Sequence, residues 1–274
     1  MNSAVAVAAD IADVTDEAWR RYERDGYLRL GKVLSDADLR GLQERINAIM
    51  LGTADVPYDR LLMQLDSATG KYNDAGVQSK GHKGATLAYR KIQDLELDDR
   101  FRAYLERPLF RAICARVYGP ATPIAAFRAM FMNKPAHQGT WLPWHQDRWS
   151  SLDRDPLITV WTALDPATQE NGCVQIIEGS HRFGLINPDH PSGFVSEEQA
   201  EKLLAEHPVV PLELEPGEAV LLHNWLLHAS DVNRSPVSRR AFSVCYMDAR
   251  TQARNGERYP ELFAAETDPP PEKT

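Results

Sequence analysis

Residues Val209–His228 read VVPLELEPGEAVLLHNWLLH. The apolar side chains come in short runs, broken at Pro216–Gly217, where the chain has to turn. Four other segments share this character: PIAAFRAMFMNKP (Pro123–Pro135), LITVWTAL (Leu157–Leu164), GCVQIIEGSH (Gly172–His181) and RRAFSVCYMDA (Arg239–Ala249). Short β-branched or aromatic runs between turn residues predict an antiparallel sandwich or barrel rather than βαβ units. One helix interrupts them: SEEQAEKLLAEH (Ser196–His207) opens on a capping box of Ser196 and Gln199.

Toward the N-terminus the pattern turns helical. A helix is expected over about Thr15–Asp25, with Trp19 and Tyr22 at i, i+3 spacing, followed by a short strand in GYLRLGKVLS (Gly26–Ser35). Ser35 and Asp38 open a second helix, whose Leu39, Leu42, Ile46 and Ile49 form one apolar stripe. A third helical stretch, Asp98–Gly119, is broken near Pro108. The intervening Leu51–Tyr89 is glycine-rich and aperiodic, which predicts a functional lid or a disordered segment. The architecture inferred is a β jelly roll, about 120–250, with helices packed on one side; residues 1–14 read as a flexible leader and 267–274 as a disordered tail.

A formal net charge of −8 opposes non-specific nucleic-acid binding, which needs a basic footprint. No apolar run approaches the ~18–20 residues of a membrane span. The start has no basic region ahead of its small apolar residues, so no secretory signal is read and a cytoplasmic protein is expected. Cys114, Cys173 and Cys245 are odd in number, widely spaced and set in apolar runs, as free thiols in a reducing compartment would be.

The chemistry is signalled by WHQDRW (Trp144–Trp149). If this is a strand, His145 and Asp147 share a face and Gln146 points away; Pro143 then marks an edge or a strand start. Of the other histidines, His82, His137, His181, His190 and His207 fall in loops or turn-rich segments and read as solvated or capping. His223 and His228 close the run quoted first, five residues apart, so in one regular strand they face opposite ways and a single one can join the pair. His228, beside the loop ASDVNRSPVS, is the expected third ligand; His223 is the expected structural residue. Two histidines and a carboxylate suit non-haem Fe(II), and catalytic zinc accepts the same set. Arg239 stands eleven residues beyond His228. A hairpin would bring it beside that strand as a carboxylate clamp, with Ser230 near it.

These residues, in this order, resemble the phytanoyl-CoA dioxygenase family of Fe(II)/2-oxoglutarate-dependent oxygenases. The similarity runs from DGYLRLGKVLS (Asp25–Ser35) to AFSVCYM (Ala241–Met247) through KIQDL, MFMNKPA, WHQD, VWTALDPATQENGCVQIIEGSH and HASDVNRSPVSRRA. The resemblance implies a double-stranded β-helix (mainly β with flanking α-helices, cupin-like) in a single oxygenase domain over 15–266. It implies His145, Asp147 and His228 as iron ligands and catalytic residues, and Arg239 and Ser230 on the far carboxylate of 2-oxoglutarate. Lys91, Met130 and Trp161 match further positions lining the co-substrate pocket, and Asn233 a residue that orders its loop. It also implies Fe(II) as cofactor, 2-oxoglutarate and O2 as co-substrates, and hydroxylation of a C–H bond with release of succinate and CO2. Because relatives that halogenate lack the acid present here as Asp147, oxygen insertion is expected rather than chlorination.

The substrate is less legible. A small molecule, free rather than a CoA thioester, is expected, and an anionic one could be cradled by SKGHKG (Ser79–Gly84), a lysine- and glycine-rich segment that reads more readily as a solvated flexible loop. Arg148 is a second candidate for an anion, or a surface ion-pair partner. Contacts are expected from Leu51–Tyr89 and Phe183–His207. Five of six tryptophans fall between Trp141 and Trp225, in barrel packing or an aromatic cage. A non-catalytic cupin-like binding module, or a hydroxylase of an acyl-CoA or a protein side chain, remains the alternative; the oligomeric state is not encoded in any motif.

Overall fold

The computed structural model describes residues 14–266, so the expected leader (Val14 apart) and the expected tail lie outside the described residues. The first half holds α1 (Asp16–Asp25), β1 (Tyr27–Lys32), α2 (Asp36–Leu51), β2 (Leu62–Leu65), β3 (Ser79–Lys80), β4 (Tyr89–Gln93), α3 (Asp99–Leu105), α4 (Pro108–Tyr118) and β5 (Ile124–Lys134). The second holds β6 (Leu142–His145), β7 (Ile158–Ala163), β8 (Val174–Ile177), α5 (Glu197–Glu206), β9 (Val209–Leu212), β10 (Glu218–His223), β11 (His228–Ser230), β12 (Arg239–Asp248) and β13 (Glu261–Phe263).

Two antiparallel sheets result. The major one runs β1-β10-β7-β12-β5-β4-β2-β3, with β13 paired to the start of β5; the minor one runs β6-β11-β8-β9. The run Val209–His228 therefore crosses between sheets twice, with β9 and β11 in the minor sheet and β10 between them in the major one. Sequence had suggested a continuous strand from Gly217 to His228. The turn at Asn224–Leu227 breaks it, closed by the Leu226 N–H donating to the His223 carbonyl at 2.9 Å. This alternation between facing sheets is the double-stranded β-helix.

Strand alternation sorts the major sheet's side chains onto two faces. Phe242, Val244 and Tyr246 of β12 join the helices in one core, while Ala241 joins Trp161, Val174 and Ile176 between the sheets. On β5 the helix-facing residues are Ile124 and Ala126, then Ala129 and Phe131. The parity changes because a β-bulge falls between Ala126 and Arg128 in the pairing with β12. The bulge turns Arg128, Met130 and Met132 inward together.

The helices cover the outer face of the major sheet, and their ends are set locally. Thr15 and Ser35 cap α1 and α2 by accepting from Ala18 N and Asp38 N, and Pro108 at the first turn of α4 separates it from α3. Phe101 of α3 packs on Phe242 at 4.7 Å between ring centroids; truncating such a buried ring costs about 3–5 kcal/mol. Of the two readings of Leu51–Tyr89, the disordered one fails, since β2 and β3 extend the major sheet through β4. Strands of four and two residues are too short to show periodicity.

Candidate metal centre and adjoining pocket

His145 ends β6, an edge strand as Pro143 suggested, and His228 begins β11; the two are directly paired in the minor sheet. Their ring centroids stand 4.0 Å apart. Each imidazole turns Nδ1 to a carbonyl two residues back, Pro143 O at 2.8 Å and Leu226 O at 2.9 Å. A proton held on Nδ1 leaves the Nε2 lone pair of both rings facing the pocket.

Asp147 is not in the strand, which stops at His145. Its N–H donates to the Asn224 carbonyl at 2.7 Å, and Asn224 is itself held by Thr159 and by the Pro156 carbonyl. Gln146 points away and is fully buried, donating to Gly184 O and Trp225 O and accepting from Ile186 N. Gly193 presses on this stretch: a Cβ there would stand 2.0 Å from the Gln146 carbonyl oxygen, at a φ of +68°. The pairing of His145 with Asp147 thus comes from loop anchoring, not from strand alternation.

Asp147 Oδ1 is 3.8 Å from His145 Nε2, and Oδ2 is 4.0 Å from His228 Nε2. Those gaps are too long for hydrogen bonds. Both fall inside the about 4.2 Å that two donors can span across one ion at bonds of about 2.1 Å. One ligand atom from each of the three residues lies within 4.8 Å of the others. Burial, with His228 beside it, holds the His145 imidazole well below its ordinary pKa, so it is a neutral donor. The donor set fits a divalent transition metal.

The three side chains open on a cavity of about 270 Å³ between the sheets. At one end lies Arg239, buried, its guanidinium 5.4 Å from the Trp161 ring centroid. Its Nε and Nη1 have no partner, and burial lowers its pKa to about 10. Leaving guanidinium N–H groups dry and unpaired is costly, so this end has donors that an anion could satisfy. Ser230, Met130, Trp161 and Lys91 line the same cavity. Burial draws the Lys91 ammonium well below its usual pKa, and Arg90 and Arg128 push the same way. Asn233 donates to Lys134 O and Val237 O, ordering the loop between β11 and β12. The expected hairpin is absent: β12 pairs with β5 and β7, and Arg239 reaches the site from the sheet opposite His228.

Other expectations separate. His223 faces His181 and Tyr22, not the site. Tyr72 and Gln78, and Ser192 and Phe194, bring Leu51–Tyr89 and Phe183–His207 to the cavity, with Phe194 stacked on His145 at 5.0 Å. The SKGHKG segment does not line it: Lys83 turns back to Ser79 Oγ and Lys80 O, and His82 bonds Met50 O. Arg148 donates to Pro188 O outside the cavity. Of the tryptophans, Trp149 and Trp161 line it, with Tyr72 and Phe194 as the further rings. Sequence reasoning missed Arg128, Thr159, Ser243 and Cys245. Arg128 had a signal, standing two residues before Met130 and so on the same strand face.

The family model described as Phytanoyl-CoA dioxygenase (PhyH) matches residues 22–241. A probable phytanoyl-CoA dioxygenase of Caenorhabditis elegans is 26% identical over 240 residues, covering 84% of this chain and 74% of its own length. Among solved structures, the carbocyclase SnoK from nogalamycin biosynthesis shares the fold at a TM-score of 0.70 and 18% identity, over 94% of this chain and 99% of its own. EctD from S. alaskensis, solved with 2-oxoglutarate and 5-hydroxyectoine, does so at 0.66 and 17%, over 93% and 82%.

Proposed function

The chain belongs to the phytanoyl-CoA dioxygenase family of Fe(II)/2-oxoglutarate-dependent oxygenases, and from that premise we propose that it hydroxylates an unactivated C–H bond of a small-molecule substrate. The observation that carries this reading is the meeting of His145, Asp147 and His228 beside the unpaired guanidinium of Arg239. Fe(II) and 2-oxoglutarate, when bound, supply the oxidising chemistry: O2 is consumed, the co-substrate leaves as succinate and CO2, and one oxygen atom enters the substrate.

The chain's own residues bind, orient and exclude water. Both imidazoles present Nε2 in a fixed tautomer because Nδ1 is tied to a carbonyl, and Asp147 adds the charged donor. Arg239 offers a planar, two-pronged donor to the distal carboxylate of 2-oxoglutarate, and Ser230 a hydroxyl. Met130 and Trp161 wall off that end, and a dry wall strengthens each charge interaction. Lys91 lines the cavity near Asp147 as a further polar contact. The presence of Asp147 supports oxygen insertion over chlorination. The small cavity supports a compact reacting group over an entire CoA thioester.

No helix among the described residues is long and apolar enough to cross a membrane. Three free, buried cysteines support a reducing compartment, in line with a cytoplasmic placement.

The direct test is an anaerobic titration with Fe(II) and 2-oxoglutarate, followed by a substrate screen that reads succinate. A weak visible charge-transfer band is expected in the wild type and not in Asp147→Ala. Wild-type protein without the band, or an Asp147→Ala variant with undiminished 2-oxoglutarate turnover, would remove the proposal.

A further inference from the structure

Arg128 stands at the other end of the cavity from Arg239. On the β5–β12 ladder it pairs with Cys245, whereas Arg239 pairs with Lys134. Six residues of extended β12 separate the two positions, on the order of 20 Å between backbones. The two guanidiniums rest on different rings, that of Arg239 on Trp161. Arg128 leans on Phe127 and Trp149, its guanidinium carbon 5.2 and 4.9 Å from their ring centroids. Trp149 in turn packs with Met247, at the opposite end of β12 from Arg239.

Stacking satisfies the faces of a guanidinium and leaves its N–H edge unspent. Among the described residues Arg128 takes neither a hydrogen bond nor an ion pair; the strongest charge acting on it is that of Asp147, already turned to the histidines. The charges around the cavity are unequal too. Arg128 and Arg239 face it against the single carboxylate of Asp147. A divalent metal and a dianionic co-substrate cancel, so that excess remains when both are bound.

We infer that Arg128 binds an oxyanionic group, a carboxylate, on the primary substrate, and so places the reacting carbon on the side of the metal centre away from Arg239. The inference rests on the dioxygenase reading above. It moves the anion site from the loop Ser79–Gly84 and from Arg148 to a position inside the pocket. A planar carboxylate matches the two-pronged edge of the guanidinium, and a cavity of about 270 Å³ shared with 2-oxoglutarate calls for a small acid.

The test uses the full chain loaded anaerobically with Fe(II) and 2-oxoglutarate, whose absorption band reports on the underlying reading. Straight-chain C4 to C8 carboxylates, their primary amides and alkyl phosphates of equal length are titrated in, with binding followed by calorimetry. At least one acid should bind about tenfold or more tightly than its amide, the worth of a charge-assisted hydrogen bond. Arg128→Gln should abolish that preference while keeping the band, and Arg128→Lys should keep part of it. Acids that never exceed their amides, a preference that survives in Arg128→Gln, or binding by the phosphates alone would overturn the inference. So would loss of the band in Arg128→Gln, which would move Arg128 into the co-substrate site. A wild type without the band would withdraw the premise, and the inference with it.

Discussion

Arg239 and Arg240 are neighbours of the same type, and strand alternation sends them to opposite faces of β12. Arg240 donates through Nε and Nη2 to both oxygens of Asp165 at 2.7 Å and through Nη1 to Asn47 at 2.8 Å, tying the strand to α2. Arg239 keeps Nε and Nη1 unpaired in a buried pocket. One therefore serves the fold, and the other is free to serve the proposed co-substrate. Arg240→Ala should cost about 3 kcal/mol in denaturant unfolding, because it strands a buried carboxylate, and should leave the 2-oxoglutarate requirement unaltered. Arg239→Ala should raise that requirement by about tenfold to a hundredfold at little cost in stability, since an uncompensated buried cation is removed. Equal effects of the two variants on the requirement would show that the pocket does not distinguish them.

The short turn Leu95–Leu97 joins β4 to α3 and carries an acid in an adverse place. Glu96 Oε2 is buried without a partner, and burial, reinforced by Asp94, lifts its pKa from 4.5 to about 7. The folded chain thus holds a proton that the unfolded chain has released, and stability falls as pH rises through that window. Between pH 5 and pH 8 the wild type should lose about 1–3 kcal/mol relative to Glu96→Gln, whose amide does not titrate. Parallel pH profiles in urea unfolding would show the residue to be solvated instead. Element ends such as this were largely legible in the sequence, because caps and breakers act locally: Thr15, Ser35, Pro108 and Ser196 each stand at a helix start. Encounters between sheets were not. His145 and Asp147 were expected together from alternation and are together through the Asn224 carbonyl; Arg239 was expected by a hairpin and arrives from the facing sheet. Lysines in Ser79–Gly84 drew attention by composition and lie outside the pocket, whereas Arg128, which lines it, is readable only by counting two residues back from Met130. A period-two pattern says which residues share a face, and it says nothing about which face lies opposite.

At the scale of the whole molecule, the proposed metal ligands all belong to the minor sheet or the loop that follows its edge strand, while Arg239, Met130 and Trp161 belong to the major one. A co-substrate that chelates the metal at one end and meets Arg239 at the other would bridge the two sheets across the cavity. Binding to the folded state alone stabilises it by about 2.7 kcal/mol at a hundredfold excess over Kd. For a chain of this size that is a rise of about 5–10 °C in Tm. Bridging makes the two ligands cooperative: Fe(II) and 2-oxoglutarate together should raise Tm by more than the sum of their separate shifts, and a chelator should reverse it. Asp147→Ala should lose the joint shift, whereas Arg239→Ala should keep the metal's own shift and lose the increment from 2-oxoglutarate. Anaerobic thermal unfolding with the four ligand combinations measures this directly. Strictly additive shifts, or an undiminished 2-oxoglutarate increment in Arg239→Ala, would mean that the co-substrate does not span the sheets, and the division of labour between metal-holding and carboxylate-holding sheets would have to be abandoned.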